Sequence, residues 1–118
     1  MCNKGEYEIM GITLYQAQKI VDDWINQFEE GYWPPLSMLA SLTEEVGELA
    51  REINNREKIK KKKTSELEMD ISLELADILF SLICIANHYG VDLEESFKKV
   101  MEKYSIRDKK RWTKKEKM

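Results

Sequence analysis

Two short stretches of this chain combine carboxylate side chains with helical spacing. The first is SLTEEVGELAREI, residues 41–53, whose acids recur every one to four residues: Glu44, Glu45, Glu48 and Glu52. The second is ELADILFSLICIA, residues 74–86, in which Glu74 and Asp77 lead into the most apolar run of the chain. Side chains three or four residues apart share one face of a helix. Each stretch therefore predicts a local cluster of carboxylates.

The apolar surroundings of Glu74 and Asp77 make it energetically unfavourable to bury their charged carboxylates. Only Ser81 is polar between Ile78 and Ala86, and a helix that is apolar on all sides is normally buried. If the two stretches face each other, four or five carboxylates converge in a partly dry place, where they repel each other and lose hydration. Hard divalent cations bound by oxygen resolve this conflict, and Mg²⁺ or Mn²⁺ suits such a site.

An ordinary interpretation stands beside the metal site. Glutamates at helical spacing usually form a solvated face, and acids near a helix start favour the helix dipole. Both motifs, on adjacent predicted helices with an apolar flank, favour the metal site over this alternative.

Helical periodicity dominates the segments that must position these acids. The first helix shows apolar residues at three- and four-residue steps: Leu14, Ala17, Val21, Trp24 and Phe28. Thr13 with Gln16 fits a capping box before it. Gly31, Pro34 and Pro35 end it, and Pro35 suits the first position of a second helix. The second helix carries its own apolar series: Leu39, Leu42, Val46, Leu49 and Ile53.

Two more helices follow a charged segment. Residues 54–66 have little periodicity and include Lys60–Lys63, which predicts a mobile loop because like charges repel along a helix. A third helix is predicted from about Leu67 to Tyr89, followed by Gly90 as a helix-ending glycine. Asp92 with Glu95 fits the cap of a fourth helix, which extends to about Tyr104.

The predicted fold class is all-α: a four-helix bundle whose middle pair is an antiparallel hairpin, with the mobile Lys-rich loop between helices two and three. We expect a single domain over residues 1–118, with its core at about 13–107 and a basic tail at 108–118. Neither a repeat nor a strand-like alternation is visible.

Composition excludes several classes of protein. Apolar residues make up 42% and charged residues 35% of the 118 residues, so global disorder is not expected. The net charge of −3 gives no reason to expect nucleic-acid binding. Cys2 and Cys84 form neither a metal-spaced pair nor a disulfide framework, which favours a reducing cytoplasm. Without an N-terminal hydrophobic region or a run of eighteen apolar residues, we expect neither export nor a membrane span.

Taken together, the motifs resemble the MazG-like nucleotide pyrophosphohydrolases of the all-α NTP pyrophosphatase superfamily. The matching elements are E-E-x-x-E, then E-x-x-D, then GVDLEE and K-[YF]-x-x-R, the last formed by Lys103, Tyr104 and Arg107. Their context matches too, in GYWPPLSMLASLTEEVGELAREI and ELADILFSLICIANHYGVDLEESFKKVMEKYSIRD. The resemblance covers roughly residues 13–112.

The resemblance implies a reaction and a ligand set. Members of this family cleave nucleoside triphosphates between the α and β phosphates, releasing the monophosphate and pyrophosphate. Four residues would then hold Mg²⁺, with Mn²⁺ as a substitute: Glu45, Glu48, Glu74 and Asp77. Glu44 would be the catalytic residue that assists the metal ions or orients and deprotonates the attacking water. The expected role is housecleaning of the nucleotide pool.

Substrate contacts are also implied. Lys103 and Arg107 suit the phosphates, although two cations near a helix C-terminus also favour the dipole. Asn87 would contact the sugar or base, or simply cap its helix. Trp33 would flank the base pocket or pack in the core, and Trp112 is similar to an aromatic residue of some relatives.

Broad apolar arcs on helices one and three predict exposed apolar surface on a monomer. This favours a homodimer or homotetramer, as the family implies.

Two rival functions stay open. One is a phosphoribosyl-ATP pyrophosphohydrolase, which shares the metal logic. The other is a non-catalytic metal- or partner-binding helical module. Neither His88 nor Cys84 is assigned a role: we expect His88 at a helix end, too far along the helix to share a metal with Asp77, and Cys84 as a small core residue.

Overall fold

Four helices make up the part of the chain that the structure, a computed structural model, describes, namely residues 11–57 and 71–116. They are α1 (Leu14–Ile25), α2 (Pro35–Glu57), α3 (Ile71–His88) and α4 (Leu93–Arg107), and no strand occurs in these ranges. The all-α prediction is confirmed.

Capping side chains fix where α1 and α4 begin. The Thr13 hydroxyl accepts from the Gln16 backbone N–H at 3.1 Å, and the Gln16 side chain accepts from the Thr13 N–H at 2.8 Å. This is the predicted capping box. At α4 the Asp92 carboxylate accepts from the backbone N–H groups of Glu94 and Glu95 at 3.0 and 3.2 Å, which confirms the predicted cap.

The turn from α3 to α4 depends on Gly90. This residue has φ +65°, a conformation that only glycine adopts without strain. The Val91 N–H donates to the Ala86 carbonyl at 2.8 Å, and the Gly90 N–H donates to the Asn87 carbonyl at 3.2 Å. These two bonds form a Schellman motif, so Gly90 ends α3 as predicted.

The bounds of three helices differ from the prediction. α1 ends at Ile25, so Phe28, which the predicted series placed in this helix, lies in the connection to α2. α2 continues through Glu57, so residues 54–57 are helical and not loop. The charged run misled the sequence argument, because Glu52 and Arg56 form an i, i+4 ion pair at 3.4 Å that supports the helix instead of opposing it. α4 extends to Arg107, three residues beyond the predicted end. The predicted Lys60–Lys63 loop lies outside the described residues, as does the predicted start of the third helix at Leu67.

The helices pack around a small core. α2 and α3 share the largest contact, α3 also packs on α1, and α4 packs on α1. α2 and α3 are antiparallel, because Glu45 meets Ser81 while Glu48, further along α2, meets Glu74, which is earlier in α3. The core consists of side chains from three helices: Val21, Met38, Ile83 and Cys84.

A buried amide joins α1 to the α3–α4 turn. Gln18 is 9% exposed, and its Nε2 donates to Asn87 Oδ1 at 2.9 Å and to the Val91 carbonyl at 2.8 Å. Its Oε1 accepts from the Leu93 N–H, the first residue of α4, at 2.8 Å. Because a buried amide is costly unless it is hydrogen-bonded, these contacts fix how α1, α3 and α4 meet.

α3 meets the length and composition of a membrane-spanning helix, which the sequence argument did not anticipate. Its 18 residues have a mean hydropathy of 1.5. One such helix is weak evidence of a span, because the core helix of a soluble protein passes the same test. In this structure α3 contacts both α1 and α2 and carries two carboxylates, Glu74 and Asp77.

Candidate active site

The centre of the candidate site is Glu74, in the first turn of α3. It is only 5% exposed, and its Oε1 atom is buried without a hydrogen-bond partner in the described part of the chain. An acid that merely favoured the helix dipole would be solvated, so this burial argues against the ordinary interpretation of Glu74.

Other carboxylates surround Glu74. Burial is the largest cause that raises the pKa of Glu74, and the negative charges of three neighbours raise it further: Glu48, Asp77 and Glu45. A side-chain hydrogen bond with Glu48 acts in the same direction. The structure thus brings together, between α2 and α3, the four acids that the sequence predicted to share a site.

The positive charge that would relieve this repulsion does not come from the described side chains. Within residues 11–57 and 71–116 the ion pairs lie elsewhere, at Glu52, Glu95 and Asp108. The four acids offer only hard oxygen donors, and the orphaned Oε1 of Glu74 offers one in a dry position, which fits a hard divalent cation. In the same ranges no three acidic, histidine or cysteine side chains already form a metal-binding group. The acids therefore form a cluster whose side chains must adjust to bind an ion.

The remaining acids of α2 differ in exposure. Glu44 precedes Glu45, lies one turn before Glu48 and is exposed, so its carboxylate is accessible to water. Glu52 is buried at 3% exposure and pairs with Arg56. This exposure fits the predicted role of Glu44 in orienting and deprotonating a water better than it fits a metal ligand in a closed site.

Ser81 is a site residue that the sequence argument missed. Its Oγ donates to Glu45 Oε2 at 2.9 Å across the α2–α3 contact, and it is 8% exposed. The signal was available: Ser81 is the only polar residue in the run from Ile78 to Ala86 and follows Asp77 by one helical turn. Its partner on α2 could not be read from spacing.

An aromatic cavity of about 520 Å³ adjoins the carboxylates. Glu45 and Ser81 belong to its wall, so one of the four clustered acids borders the cavity. Aromatic rings from α1, the α1–α2 connection and α3 also line it: Trp24, Phe28, Tyr32, Trp33 and Phe80. The Trp24 ring packs edge-on against Phe28 and Phe80, with centroids 5.3 and 6.0 Å apart. An apolar cavity with a few polar groups at one edge is typical of a small-molecule site.

Tyr32 is held in the cavity wall by two polar partners. Its hydroxyl donates to Asp22 Oδ1 at 2.6 Å and accepts from Asn87 Nδ2 at 3.0 Å. Burial, followed by the hydrogen bond to Asp22, raises the Tyr32 pKa, so the phenol stays protonated. The ring orientation of Tyr32 is therefore fixed before any ligand enters.

Asn87 is engaged by the fold. Its Nδ2 also donates to the Gln18 carbonyl at 2.9 Å, and its Oδ1 accepts from the Gln18 side chain at 2.9 Å. Asn87 contacts the cavity through the Tyr32 hydroxyl, so both of its amide hydrogens are used. These contacts fix the orientation of Asn87. Its Oδ1 accepts one of these bonds and has a second lone pair for a ligand donor.

The cationic pair of α4 is exposed and separate from the acids in the described chain. α4 packs on α1, and residues 97–107 are exposed throughout. Arg107 donates to both carboxylate oxygens of Asp108 at 3.0 Å and lies 4.5 Å from the Tyr104 ring centroid. Lys103 and Arg107 are therefore accessible to a ligand. Within a single chain they lie apart from Glu74.

Four other residues considered in the sequence have the following places. Trp33 is 63% exposed in the cavity wall and not in the core. Trp112 is 67% exposed in the tail, with the Arg111 guanidinium 5.1 Å from its ring. His88 ends α3 against the Tyr89 ring, and Cys84 is a buried core residue, so both ordinary interpretations are confirmed.

Comparison with known proteins gives one family. A profile of the MazG nucleotide pyrophosphohydrolase domain matches residues 34–112. Protein YpjD of Bacillus subtilis is 50% identical over 104 residues, covering 88% of this chain and 94% of YpjD. A crystal structure of YpjD aligns with a TM-score of 0.70 at 44% identity, covering 88% of this chain and 98% of that one. The crystal structure of the Bacillus-conserved MazG protein, a nucleotide pyrophosphohydrolase, aligns with a TM-score of 0.70 at 45% identity, covering 87% and 100%.

The burial of Glu74 predicts a pH-dependent stability in the metal-free protein. Because its folded-state pKa lies above the ordinary value of 4.5, the folded protein retains a proton that the unfolded chain releases. Stability should therefore fall as pH rises from that value through the raised one. Glu74→Gln removes this dependence and should melt several degrees higher than wild type at pH 8 in EDTA.

Thermal unfolding followed by circular dichroism from pH 4 to pH 8 measures this difference. Glu57→Gln, an exposed change in the same hairpin, is the control and should follow wild type. Parallel curves for wild type and Glu74→Gln would contradict the prediction.

Proposed function

The chain belongs to the MazG nucleotide pyrophosphohydrolase family, and from this premise we propose that it hydrolyses nucleoside and deoxynucleoside triphosphates between the α and β phosphates. The products are the monophosphate and pyrophosphate, and the reaction depends on Mg²⁺, for which Mn²⁺ substitutes. The observation that carries the proposal is the buried Glu74 carboxylate, whose Oε1 has no hydrogen-bond partner in the described chain. It lies among three further acids, of which Glu45 borders an aromatic cavity. The setting that we propose is the nucleotide pool of the cytoplasm.

Four carboxylates would hold the cation: Glu45, Glu48, Glu74 and Asp77. When bound, a divalent cation neutralises phosphate charge and lowers the pKa of a coordinated water. Glu44 is exposed beside Glu45 and would accept the proton of the attacking water. The water oxygen would then bond to the α phosphorus as the α–β anhydride bond breaks and pyrophosphate leaves. Hydrolysis of the α–β anhydride bond needs mainly positioning and charge stabilisation. By holding the cation, the four carboxylates would position the water relative to the phosphate.

The aromatic cavity would hold the nucleoside. Its volume of about 520 Å³ lies within the usual range for small-molecule sites, roughly 300–1,000 Å³. Rings such as Trp33 and Phe80 offer flat faces on which a base stacks. Since Glu45 borders the cavity, a nucleoside there directs its phosphates toward the carboxylates. This order of base, then phosphates, then acids is what the proposed reaction requires.

Lys103 and Arg107 would bind the phosphates in the proposed oligomer, because within a single chain they lie apart from Glu74. Both belong to the exposed part of α4, residues 97–107. Two cations one turn apart match an anionic ligand, and the Arg107 guanidinium already makes a bidentate contact with a carboxylate, Asp108, a geometry that a phosphate shares.

A homodimer or homotetramer follows from the uncovered apolar surface. On α3 the outward residues Leu75, Leu79 and Leu82 are 51%, 42% and 43% exposed. On α2 a stripe that includes Leu39 and Val46 is 52% and 47% exposed. Apolar rows at helical spacing on adjacent helices suit the matching rows of a second copy, because association removes both from water.

Product analysis tests the proposed reaction. Wild-type protein incubated with a panel of NTPs and dNTPs should yield monophosphate plus pyrophosphate with Mg²⁺, and neither product in EDTA. Glu48→Gln should lower the rate by at least about a hundredfold, because it removes a charged ligand from the site. Glu57→Gln is the matched control on the same helix and should retain wild-type activity.

Separation by ion-exchange chromatography distinguishes the outcomes. Diphosphate plus phosphate would contradict cleavage between the α and β phosphates. Turnover of phosphoribosyl-ATP alone would favour the related pyrophosphohydrolase with that single substrate. Stoichiometric nucleotide binding without turnover would favour a non-catalytic module.

Base stacking predicts a selective effect of the cavity wall. Trp33→Ala should raise KM about ten- to a hundredfold, because stacking on an aromatic side chain contributes about 1–3 kcal/mol per base. The kcat should change little, since the tryptophan touches no reacting atom. Trp112→Ala removes an equally exposed tryptophan outside the cavity and should leave KM unchanged. Equal KM values for the two variants in steady-state assays would exclude the base from this cavity.

Charge on the outer face of α3 should weaken self-association. Light scattering at micromolar concentration should give two or four times the 14.0 kDa chain mass for wild type. Leu82→Glu places a charge in the apolar row and should shift the protein toward monomer. Lys99→Glu, on the exposed part of α4, is the control for an added negative charge. A wild-type monomer at this concentration would contradict the oligomer.

A further inference from the structure

Ser81 lies where the aromatic cavity meets the carboxylates. It is 8% exposed in an otherwise apolar run of α3, and its Oγ donates to Glu45 Oε2 at 2.9 Å. Glu45 and Ser81 both belong to the cavity wall, on opposite helices. The bond thus crosses the α2–α3 contact at the point where a base would end and phosphates begin.

The hydrogen bond from Ser81 to Glu45 has a different acceptor from that of most serines in helices. A serine in a helix commonly donates to the carbonyl of its own helix four residues earlier. Ser81 instead donates to Glu45 on α2. A buried hydroxyl is costly unless it is hydrogen-bonded, and an alanine would suit the apolar run without that cost. The Glu45 carboxylate explains why a serine, and not an alanine, suits this position. A hydrogen bond to a carboxylate is charge-assisted and stronger than one between neutral groups.

A restrained carboxylate differs from a free one in two ways. A long acidic side chain on a helix occupies several rotamers, and the bond to Ser81 removes most of that freedom at Glu45. It also occupies one oxygen, Oε2, and leaves Oε1 for another ligand. The raised pKa of Cys84, caused first by burial and then by the charge of Glu45, agrees with a Glu45 carboxylate directed at this part of α3.

We infer that Ser81 is a positioning residue: through its bond to Oε2 it holds Glu45 in the orientation from which Oε1 joins Glu48, Glu74 and Asp77 in binding a divalent cation. This role rests on the proposed metal-dependent function. Ser81 acts on the cation through Glu45 and is not itself a proposed metal ligand. Outer partners that orient metal ligands typically contribute about ten- to a hundredfold to metal affinity.

Mn²⁺ binding to the nucleotide-free protein, followed by electron paramagnetic resonance, tests this role without any turnover. Ser81→Ala should weaken binding about tenfold. Ser81→Thr keeps the hydroxyl and should recover most of that loss. Ser96→Ala, a partly buried serine-to-alanine change on α4, is the matched control and should bind as wild type. Circular dichroism melts confirm that each variant is folded at the assay temperature.

A double-mutant cycle separates positioning from general packing. In a Glu45→Gln background, Ser81→Ala should weaken Mn²⁺ binding by less than about twofold, because its effect acts through the Glu45 carboxylate. The same tenfold loss in both backgrounds would overturn the positioning role. Equal Mn²⁺ affinity of wild type and Ser81→Ala would overturn it as well.

Steady-state kinetics distinguish this inference from the proposed reaction. The activity lost in Ser81→Ala should return as Mg²⁺ is raised to saturation, whereas the KM defect of Trp33→Ala should not. Full turnover in wild type with Mn²⁺ affinity independent of Ser81 would overturn the positioning role and leave the reaction standing. Absence of turnover with Ser81-dependent Mn²⁺ binding would overturn the reaction and support the positioning role.

Discussion

Glu74 places an ionisable oxygen in a dry position between two helices, where three other carboxylates raise its pKa and no described side chain offers it a hydrogen bond. A fold selected for stability alone would avoid this, because burial and like charges both disfavour the ionised form. The α2–α3 hairpin nevertheless forms, because Met38, Ile83 and Cys84 pack beside the acids and Ser81 bonds across to Glu45. The apolar contact thus holds together acids that would otherwise separate, which is the usual relation between a stable scaffold and a destabilising functional site.

The aromatic cavity depends on the same hairpin and on a second polar system. Tyr32 lies in its wall, and its hydroxyl is held by Asp22 and Asn87. Asn87 is held in turn by Gln18, which also bonds to the turn that starts α4. A chain of satisfied hydrogen bonds therefore links the cavity wall to the junction of three helices. Buried networks of this kind are rigid when complete, so the cavity is shaped before a ligand arrives.

Much of this arrangement could be predicted from sequence because its signals are local. The capping box at Thr13, the cap at Asp92 and the glycine at position 90 are read from a few adjacent residues. Helical spacing also predicted that the acids share a face within α2 and within α3. Their convergence into one cluster could be predicted only on the assumption that the two helices face each other. Signals that depend on a partner in space were missed or misread. The sequence cannot show that both amide hydrogens of Asn87 are used by Gln18 and Tyr32, or that Ser81 bonds to α2 and not to its own helix.

The composition of α3 follows from how many surfaces contact it. One face meets α2 through Glu74 and Ser81, and another packs on α1. Its outward leucines, including Leu79, are left half exposed in the single chain. A helix that packs against α1 and α2, and in the proposed oligomer against a second copy, must be apolar nearly all round. This agrees with α3 having the composition of a membrane span. Between Glu74 and Ala86 the polar groups are two carboxylates and one serine, and these belong to the contact with α2. Asn87, near the end of α3, bonds to α1 instead. From Glu74 to Ala86 the polar positions of α3 are thus confined to the site, because the other directions face α1 or, in the proposed oligomer, a second copy.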